Sequence, residues 1–279
     1  MRRRQPFNRI EEQLEAIPTW RLITEVAIIL AGLAIILEPD KSINPAKVIF
    51  DSSESIAIVS AVALYFKEIP ERKKQKHYEA WQVIDNAKGI GTSYARRRAI
   101  EDLYKDGVSF YEIDLPGVDL QGITLSGAFL FKADLSAANL SSADLYNAFL
   151  SNANLSSADL SSADLSEINL SNANLFKAKL GNAKLIGANL SEINLSNANL
   201  RDADLRRANL KSANLRDADL RRANLKSANL ISVNLRNAIL ISVNLEEIEW
   251  NEQTIWPAPE EVAKAKNVPE KLKQHLGIK

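Results

Sequence analysis

Residues 151–170 read SNANLSSADLSSADLSEINL, and this stretch decides the fold because leucine returns at every fifth position. The same register runs without exception from Leu115 to Leu245, which makes 27 consecutive leucines. The residue two before each leucine is alanine, valine or isoleucine, and it is alanine at 20 of the 27 positions. Ser, Asn, Asp, Lys, Arg and Glu fill most of the remaining positions.

A period of five fits neither an ordinary helix nor a straight strand. Successive leucines would step about 140° around an α-helix and would form no apolar stripe. In a strand, residues five apart point to opposite faces. The chain must therefore turn within every repeat, so that each unit is a short extended edge with two inward residues, followed by a corner. The polar positions then face solvent.

The repeat units resemble those of a known family. Units such as Ala158-Asp159-Leu160-Ser161-Ser162 and Ala208-Asn209-Leu210-Lys211-Ser212 are similar to the A(D/N)LXX motif of the pentapeptide-repeat proteins. The resemblance implies a mostly β fold, namely a right-handed quadrilateral parallel β-helix with four repeats per coil. Residues 109–250 would then form about seven coils and a rod roughly 34 Å long. The ends of such a solenoid are open and need caps.

Residues 20–70 contain two apolar runs, Val26–Leu37 and Ser55–Phe66, joined by a polar turn. They predict two helices that form a hairpin in the membrane; the alternative is a soluble cap whose apolar helices pack on each other and on the first coil. Basic residues are frequent in the N-terminal segment 1–19 and again after the second run. Under the positive-inside rule, both ends of the hairpin would face the cytoplasm.

Residues 71–108 form a predicted helical linker. The pattern indicates one charged helix from Lys67 to Lys88 and a second from Thr92 or Ser93 to Gly107. The sequence KHYEAWQVI at 76–84 and RAIEDL at 98–103 resemble the juxtamembrane segment of membrane-anchored, cyanobacterial-type pentapeptide-repeat proteins. That resemblance implies a link between a transmembrane helix and the repeats.

A basic cluster within this linker has two interpretations. Its side chains are candidates for contact with anionic lipid headgroups. The alternative is that they serve only as a topology signal. The cluster consists of Arg72, Lys73, Lys74 and Lys76.

Aromatic residues mark a candidate protein-contact patch on the first coils. If four repeats complete one coil, Phe129 lies above Phe149 and Tyr111 above Phe131. Exposed aromatic clusters are typical of interfaces. The alternative is that the juxtamembrane helices cover these four residues.

The second half of the repeats contains a duplication. RDADLRRANLKSANL occurs at 201–215 and again at 216–230. Because this block spans three repeats whereas a coil would span four, the duplicated basic residues form a belt and not the continuous track that nucleic acid needs. Asp202 should lie beneath Arg222, so we interpret the belt as a self-neutralising surface. With 16 acidic and 13 basic residues between Tyr111 and Trp250, the rod is also unlike a DNA mimic that binds gyrase.

The last segment, 251–279, predicts a short helical cap. Its helices should span Pro259–Lys266 and Pro269–Leu276, the second ending at Gly277. Five apolar side chains could cover the last coil. These are Trp256, Val262, Ala263, Leu272 and Leu276.

The composition argues against catalysis. The 279 residues include no cysteine, equal numbers of acidic and basic residues, and two histidines, His77 and His275. No phosphate-binding or zinc-hydrolase motif occurs. We therefore expect no catalytic, cofactor or metal site. An enzyme with an unrecognised site is the least favoured interpretation.

The function that best fits these patterns is a non-catalytic protein-interaction scaffold. It would be tethered to the membrane, with its repeat domain facing the cytoplasm. Its expected partners are an unidentified protein and membrane lipid, without nucleic acid and with a possible homo-oligomer. The alternative is a soluble pentapeptide-repeat regulator that binds a protein partner.

Overall fold

The computed structural model describes most of the chain outside the N-terminal region. The described residues are Pro18, Arg21, Thr24, Glu25, Ile28, 53–87 and 92–278. The chain forms two compact units, Met1–Gln82 and Val83–Lys279.

A single long helix, α1 (Ser53–Asn86), includes the second apolar run together with the charged segment predicted as a separate helix. It starts in the first unit and ends in the second, and it continues through Pro70. Ion pairs one turn apart, such as Arg72–Glu68 at 2.6 Å, support its charged part. Among the described residues, no helix combines the length and the apolar character that crossing a membrane requires. The run Val26–Leu37, apart from Ile28, lies outside the described residues, so the hairpin stays a prediction.

The repeats form a four-sided coil in which each bridge residue pairs with its counterpart four repeats later. Parallel β-bridges join Asp114 to Asp134 and continue at this spacing to Asn229 and Glu249. Each coil contributes one bridge residue to each side. We number the sides by their first members: side 1 begins with Asp114, side 2 with Asp119, side 3 with Thr124 and side 4 with Phe129.

Every corner is a tight turn of one conformation. The N–H of Ala133, for example, donates to the carbonyl oxygen of Leu130 at 3.1 Å, and the intervening Lys132 has φ of 57°. A positive φ at the third residue alone is the pattern of a type II turn. The position recurs every five residues from Glu112 to Glu247, and most of its occupants are not glycine. The coil therefore imposes a left-handed conformation that these residues do not prefer on their own.

The interior contains the leucines and their small partners, nearly all fully buried. Outside, asparagines form amide ladders that the sequence analysis did not predict. Asn194 donates from Nδ2 to Oδ1 of Asn174 at 3.0 Å, one coil earlier. Oδ1 of Asn174 also accepts from the backbone N–H of Phe176 at 3.2 Å. Asn at this position therefore links successive coils and also holds the following turn.

Helix α2 (Tyr94–Lys105) caps the N-terminal end of the coil. Oγ of Ser93 accepts from the backbone N–H of Arg96 at 3.2 Å and begins the helix where the sequence predicted. Ile100 and Leu103 of α2 are buried, and so is Phe110 in the following segment. Ile100 and Phe110 line, together with the first leucines, an apolar gap of about 10 Å³.

The C-terminal segment extends two sides of the coil and then covers its end. Ile255 pairs with Asn234 on side 1, and Lys266 pairs with Asn244 on side 3. Between these two pairs lies helix α3 (Pro259–Val262), which is shorter than predicted. The reason is that Lys264 and Lys266 must present their carbonyl oxygens to the N–H groups of Ser242 and Leu245 on the last coil.

Helix α4 (Glu270–Leu276) ends at Gly277, whose φ is 68°, as the sequence predicted. Val262 and Leu272 are fully buried, and Leu276 and Trp256 are half-buried. Ala263 was expected on the last coil but is exposed, because helix α3 ends immediately before it.

Candidate functional site

The four residues of the predicted aromatic patch, Tyr111, Phe129, Phe131 and Phe149, lie in two stacked pairs. The rings of Phe129 and Phe149 are 5.1 Å apart between centroids with an angle of 10° between planes. Those of Tyr111 and Phe131 are 5.7 Å apart at 12°. Phe129 and Phe149 lie on side 4, while Tyr111 and Phe131 lie at the corner between sides 4 and 1. The spacing of one coil between the members of each pair produces both stacks directly.

The patch is open to solvent. Tyr111 is 53% exposed, Phe129 56% and Phe149 38%, which leaves three large aromatic side chains facing water. Helix α2 contacts a different part of the coil, its open end, where Arg97 donates to the carbonyl oxygen of Gln121. Helix α2 therefore leaves these three rings exposed, and their role as a contact surface stays a prediction.

One charged pair borders the patch. Nζ of Lys132 lies 3.1 Å from Oε1 of Glu112 and 3.4 Å from the hydroxyl oxygen of Tyr111. The hydrogen bond from Lys132 lowers the pKa of Glu112, and the same bond raises the pKa of Lys132. Lys132 also lies over the rings of Tyr111 and Phe131, at 5.7 and 5.9 Å from their centroids. The pair therefore fixes the ring orientation at one edge of the patch.

Tyr146 extends the patch and was missed by the sequence analysis. It precedes Phe149 by three residues, at the opposite corner of side 4, and is exposed. Its backbone N–H donates to Oδ1 of Asp144 at 3.1 Å. The signal in the sequence was an aromatic residue at a position where neighbouring repeats have serine. Over the first two coils, aromatic side chains thus occur at both corners of side 4 and on the side itself.

The basic cluster of Arg72, Lys73, Lys74 and Lys76 lies on α1, in the first unit. Lys74 pairs with Glu71 at 3.4 Å, and Arg72 pairs with Glu68. At about 100° per residue, Arg72, Lys73 and Lys76 share one side of the helix, and Lys74 points away from them. Three of the four side chains are therefore arranged so that a flat anionic surface can meet them together.

The two histidines lie in different units of the chain. His77 is half-buried on α1, and the ring of His275 lies 5.0 Å from that of Trp250 at the C-terminal end. Trp250 also meets Trp256 edge-on at 6.3 Å. Within the described ranges, no three His, Cys, Asp or Glu side chains are grouped as metal ligands.

The duplicated region pairs its own charges, as predicted. Arg222 donates from Nε to Oδ1 of Asp202 at 2.6 Å, one coil earlier, which confirms the expected stack. Within a single coil, Arg206 reaches Asp204 with Nη2 at 2.7 Å. These hydrogen bonds lower the pKa of Asp202 and raise that of Arg206. The arginines of the belt are thus largely engaged by neighbouring carboxylates.

Comparison with known proteins gives a consistent result for the repeats. The family model described as Pentapeptide repeats matches in eight copies, over residues 133–172, 153–191, 173–211 and 208–247. None of the curated proteins compared with the chain matches it.

Three solved structures are similar to parts of the chain. A pentapeptide repeat protein from the Arabidopsis thaliana thylakoid lumen has 26% identity and a TM-score of 0.33, over 34% of this chain and 66% of that one. HetL from the cyanobacterium Nostoc sp. strain PCC 7120, involved in heterocyst differentiation regulation, has 28% identity and a TM-score of 0.25, over 60% and 93%. Rfr23 from the cyanobacterium Cyanothece 51142 has 31% identity and a TM-score of 0.15, over 52% and 88%.

Proposed function

The chain belongs to the pentapeptide-repeat family, and on that premise we propose that it is a membrane-tethered, non-catalytic scaffold that binds a protein partner through its aromatic patch. Family membership implies a right-handed quadrilateral β-helix, and the four columns of bridges are its four sides. The observation that carries the proposal is the exposure of Phe129 and Phe149 on a surface that is otherwise polar. These exposed rings are not part of the core, because the leucines and their small partners fill it.

The geometry of the patch supports protein binding. Stacked rings present their edges to solvent and form a ridge, which a partner can cover with aliphatic or aromatic side chains. Aromatic residues are enriched where binding energy is concentrated. A non-catalytic role is supported by the interior of the coil, where leucine and alanine occupy the space that a reaction site would need.

The proposed tether rests on the sequence. It places the apolar runs 26–37 and 55–66 in the membrane, with the repeat domain on the cytoplasmic side. The three basic side chains that share one side of α1 would meet anionic headgroups, at about 1 kcal/mol each near the surface. The tether and the patch are separate claims, since they involve different units of the chain.

Binding through the patch is tested by replacing Phe129 and Phe149 together with serine and measuring capture of partner from the native host. We expect the double variant to lose the partner. The control is Ile241→Ser near the far end of the coil, where the isoleucine is 42% exposed, comparable to Phe149. This variant should still bind the partner. Equal capture by both variants would remove the patch from the proposal.

Membrane attachment is tested by fractionation of the full-length chain. We expect recovery in the membrane fraction and release by detergent but not by high salt, because apolar insertion is insensitive to screening. Release by salt alone would reduce the attachment to headgroup contacts. Recovery in the soluble fraction without detergent would favour the soluble regulator instead.

A further inference from the structure

The β-helix is electrically polarised along its axis. Residues 111–170 contain eight acidic residues and a single basic one, Lys132. Residues 171–250 contain eight acidic and twelve basic residues. The first three coils therefore carry a net negative charge and the last four, taken together, a net positive one, although residues 231–250 have three acidic residues and one basic residue. On side 1 and its corners, the first coil is acidic, with Glu112 and Asp114, and the last coil has Arg236. An antiparallel copy brings Arg236 into the coil opposite these two carboxylates, whereas a parallel copy places the carboxylates opposite their own copies.

The middle of side 1 can lose its water at low cost, because its bridge residues are uncharged from Asn154 onward. Its bridge position is asparagine in five successive coils. Each Oδ1 accepts from the N–H of the following turn, and the amides from Asn154 to Asn214 also bond to one another. Oδ1 of Asn194 accepts from the N–H of Ser196 at 3.2 Å while its Nδ2 donates to Asn174. Because these polar groups already have partners, covering them leaves few hydrogen bonds unmade. The five residues are Asn154, Asn174, Asn194, Asn214 and Asn234.

The other sides are less suited to being covered by a second rod. Side 2 has the charged pair Lys179–Asp159 at 3.4 Å near its middle, and side 3 has Lys184–Asp164 at 3.5 Å. Burial of these pairs would carry a desolvation cost. On side 4, an antiparallel copy would place Glu249 against the ring of Phe129, at opposite ends of the same column.

Side 1 is also self-complementary when one copy is reversed. One of its corners begins with Tyr111 and Phe131 and ends with Lys211 and Ile231. Reversal brings Ile231 onto Tyr111 and brings the ammonium of Lys211 onto the ring of Phe131. At the other corner, Phe176 lies in the middle coil, so it would meet its own copy. This is the pattern of a two-fold interface, in which residue i contacts j and j contacts i.

We propose that a second copy of this chain packs on side 1, with the two β-helices antiparallel about a two-fold axis through the coil that contains Phe176. The half-buried ring of Phe176 is held by Lys177, whose Nζ lies 5.1 Å from its centroid. This interface would cover Tyr111 and Phe131 of the aromatic patch, whereas Phe129 and Phe149 are on side 4 and remain uncovered, so the partner-binding test at these two residues is separate from the test of the dimer.

The absence of cysteine from the chain allows a direct test by disulfide formation. The Phe176→Cys variant of the full-length protein is purified in mild detergent, and its thiols are then oxidised with copper phenanthroline. The matched control is Ile186→Cys, in the same coil at the opposite corner. Ser171→Cys, on the proposed axis at the neighbouring corner, replaces the first variant if loss of the phenylalanine prevents folding.

We expect several-fold more covalent dimer from Phe176→Cys or Ser171→Cys than from Ile186→Cys, and the excess should fall in high salt. In a second arm, Tyr111→Cys and Ile231→Cys proteins are oxidised together and separately. The mixture should give much more covalent dimer than either protein alone, because only the antiparallel register places residue 111 of one copy against residue 231 of the other. Equal yields from the two corners would overturn the proposal. The proposal would also be overturned if the mixed Tyr111→Cys and Ile231→Cys proteins gave no more covalent dimer than either protein alone. Purified protein that stays monomeric would overturn it as well.

Discussion

The hydroxyl of Tyr104 donates a hydrogen bond to the carbonyl oxygen of Ser126, with 2.7 Å between the two oxygens. One coil later, the corresponding oxygen belongs to Tyr146 and accepts from the backbone N–H of Gly127 at 2.8 Å. The first coil has no coil before it, so the phenol supplies the donor that is missing. Arg97 likewise supplies a missing donor, because its Nη1 donates to the carbonyl oxygen of Gln121 at 2.7 Å. Two side chains of α2 thus complete the open edge of the solenoid.

Tyr104→Phe should therefore destabilise the coil although the ring remains. We expect a loss of about 1 kcal/mol in the free energy of unfolding, since one hydrogen bond is lost and the carbonyl of Ser126 loses its donor. Urea unfolding followed by circular dichroism measures the change. Tyr94→Phe is the control, because Tyr94 is 78% exposed and its loss should have little effect. A similar loss in both variants would contradict the capping role.

Leu180→Ala probes the columns in the middle of the rod. Leu180 is 1% exposed, and its column continues in the coils on both sides, so the space that it leaves has little chance to collapse. We expect a loss of about 2–5 kcal/mol in the free energy of unfolding, again measured in urea. Ser157→Ala, at an exposed corner, should change it by less than about 0.5 kcal/mol. A loss below about 1 kcal/mol for Leu180→Ala would indicate a loosely packed interior.

Two glycines separate backbone strain from side-chain crowding. Gly127 has φ of +69° with no atom within 4 Å of an added Cβ, whereas Gly181 has an ordinary φ and an added Cβ would lie 3.8 Å from the carbonyl oxygen of Arg201. We expect Gly127→Ala to destabilise by about 1 kcal/mol. Gly181→Ala should be neutral or stabilise by up to about 1 kcal/mol, because it restricts the unfolded chain. Thermal unfolding should show a lower midpoint for Gly127→Ala alone, and a similar decrease in both variants would refute the assignment.

Because of the belt of arginines, the free energy of unfolding should decrease at acidic pH. Hydrogen bonding to Arg222 lowers the pKa of Asp202, and bonding to Arg221 lowers that of Asp219. Both folded pKa values lie below the unfolded value of about 3.9, so the stabilisation is present above that value and is lost as the pH falls through the folded pKa. Arg222→Gln should remove the contribution that ionised Asp202 makes to the free energy of unfolding. Its deficit in unfolding free energy should be present at pH 7 and shrink below pH about 4, whereas a pH-independent deficit would assign the effect to packing.

In the aromatic patch, the sequence predicted which rings stack but not which rings are exposed. A separation of one coil was sufficient to stack Phe129 on Phe149 and Arg222 over Asp202, because in a solenoid the sequence separation fixes the position along and around the axis. Tyr146 was missed because the positions one coil before and one coil after it are not aromatic. The exposure of the patch was left open, since it depends on where α2 packs.

The caps were predicted only in outline. Proline, the acidic residues that follow it and Gly277 correctly indicated helices near the C-terminus, but the length of α3 was wrong. Its end is decided by the hydrogen bonds that Lys264 and Lys266 make with the last coil, which are not local. The roles of Arg97 and Tyr104 were hidden for the same reason, since their acceptors lie more than one full coil ahead in the chain.

The sequence by itself determined a chain that turns in every five-residue repeat and buries columns of leucine and alanine, because these follow from a local pattern repeated without interruption, and the resemblance to the pentapeptide-repeat proteins added the four repeats per turn. Tertiary structure alone decided what happens where the repetition stops. There the open hydrogen-bonding edges of the first and last coils select whichever side chains and segments can reach them. Tertiary packing also decided which outward aromatic rings remain in water, since exposure depends on every neighbour in space and not on the periodicity of the chain.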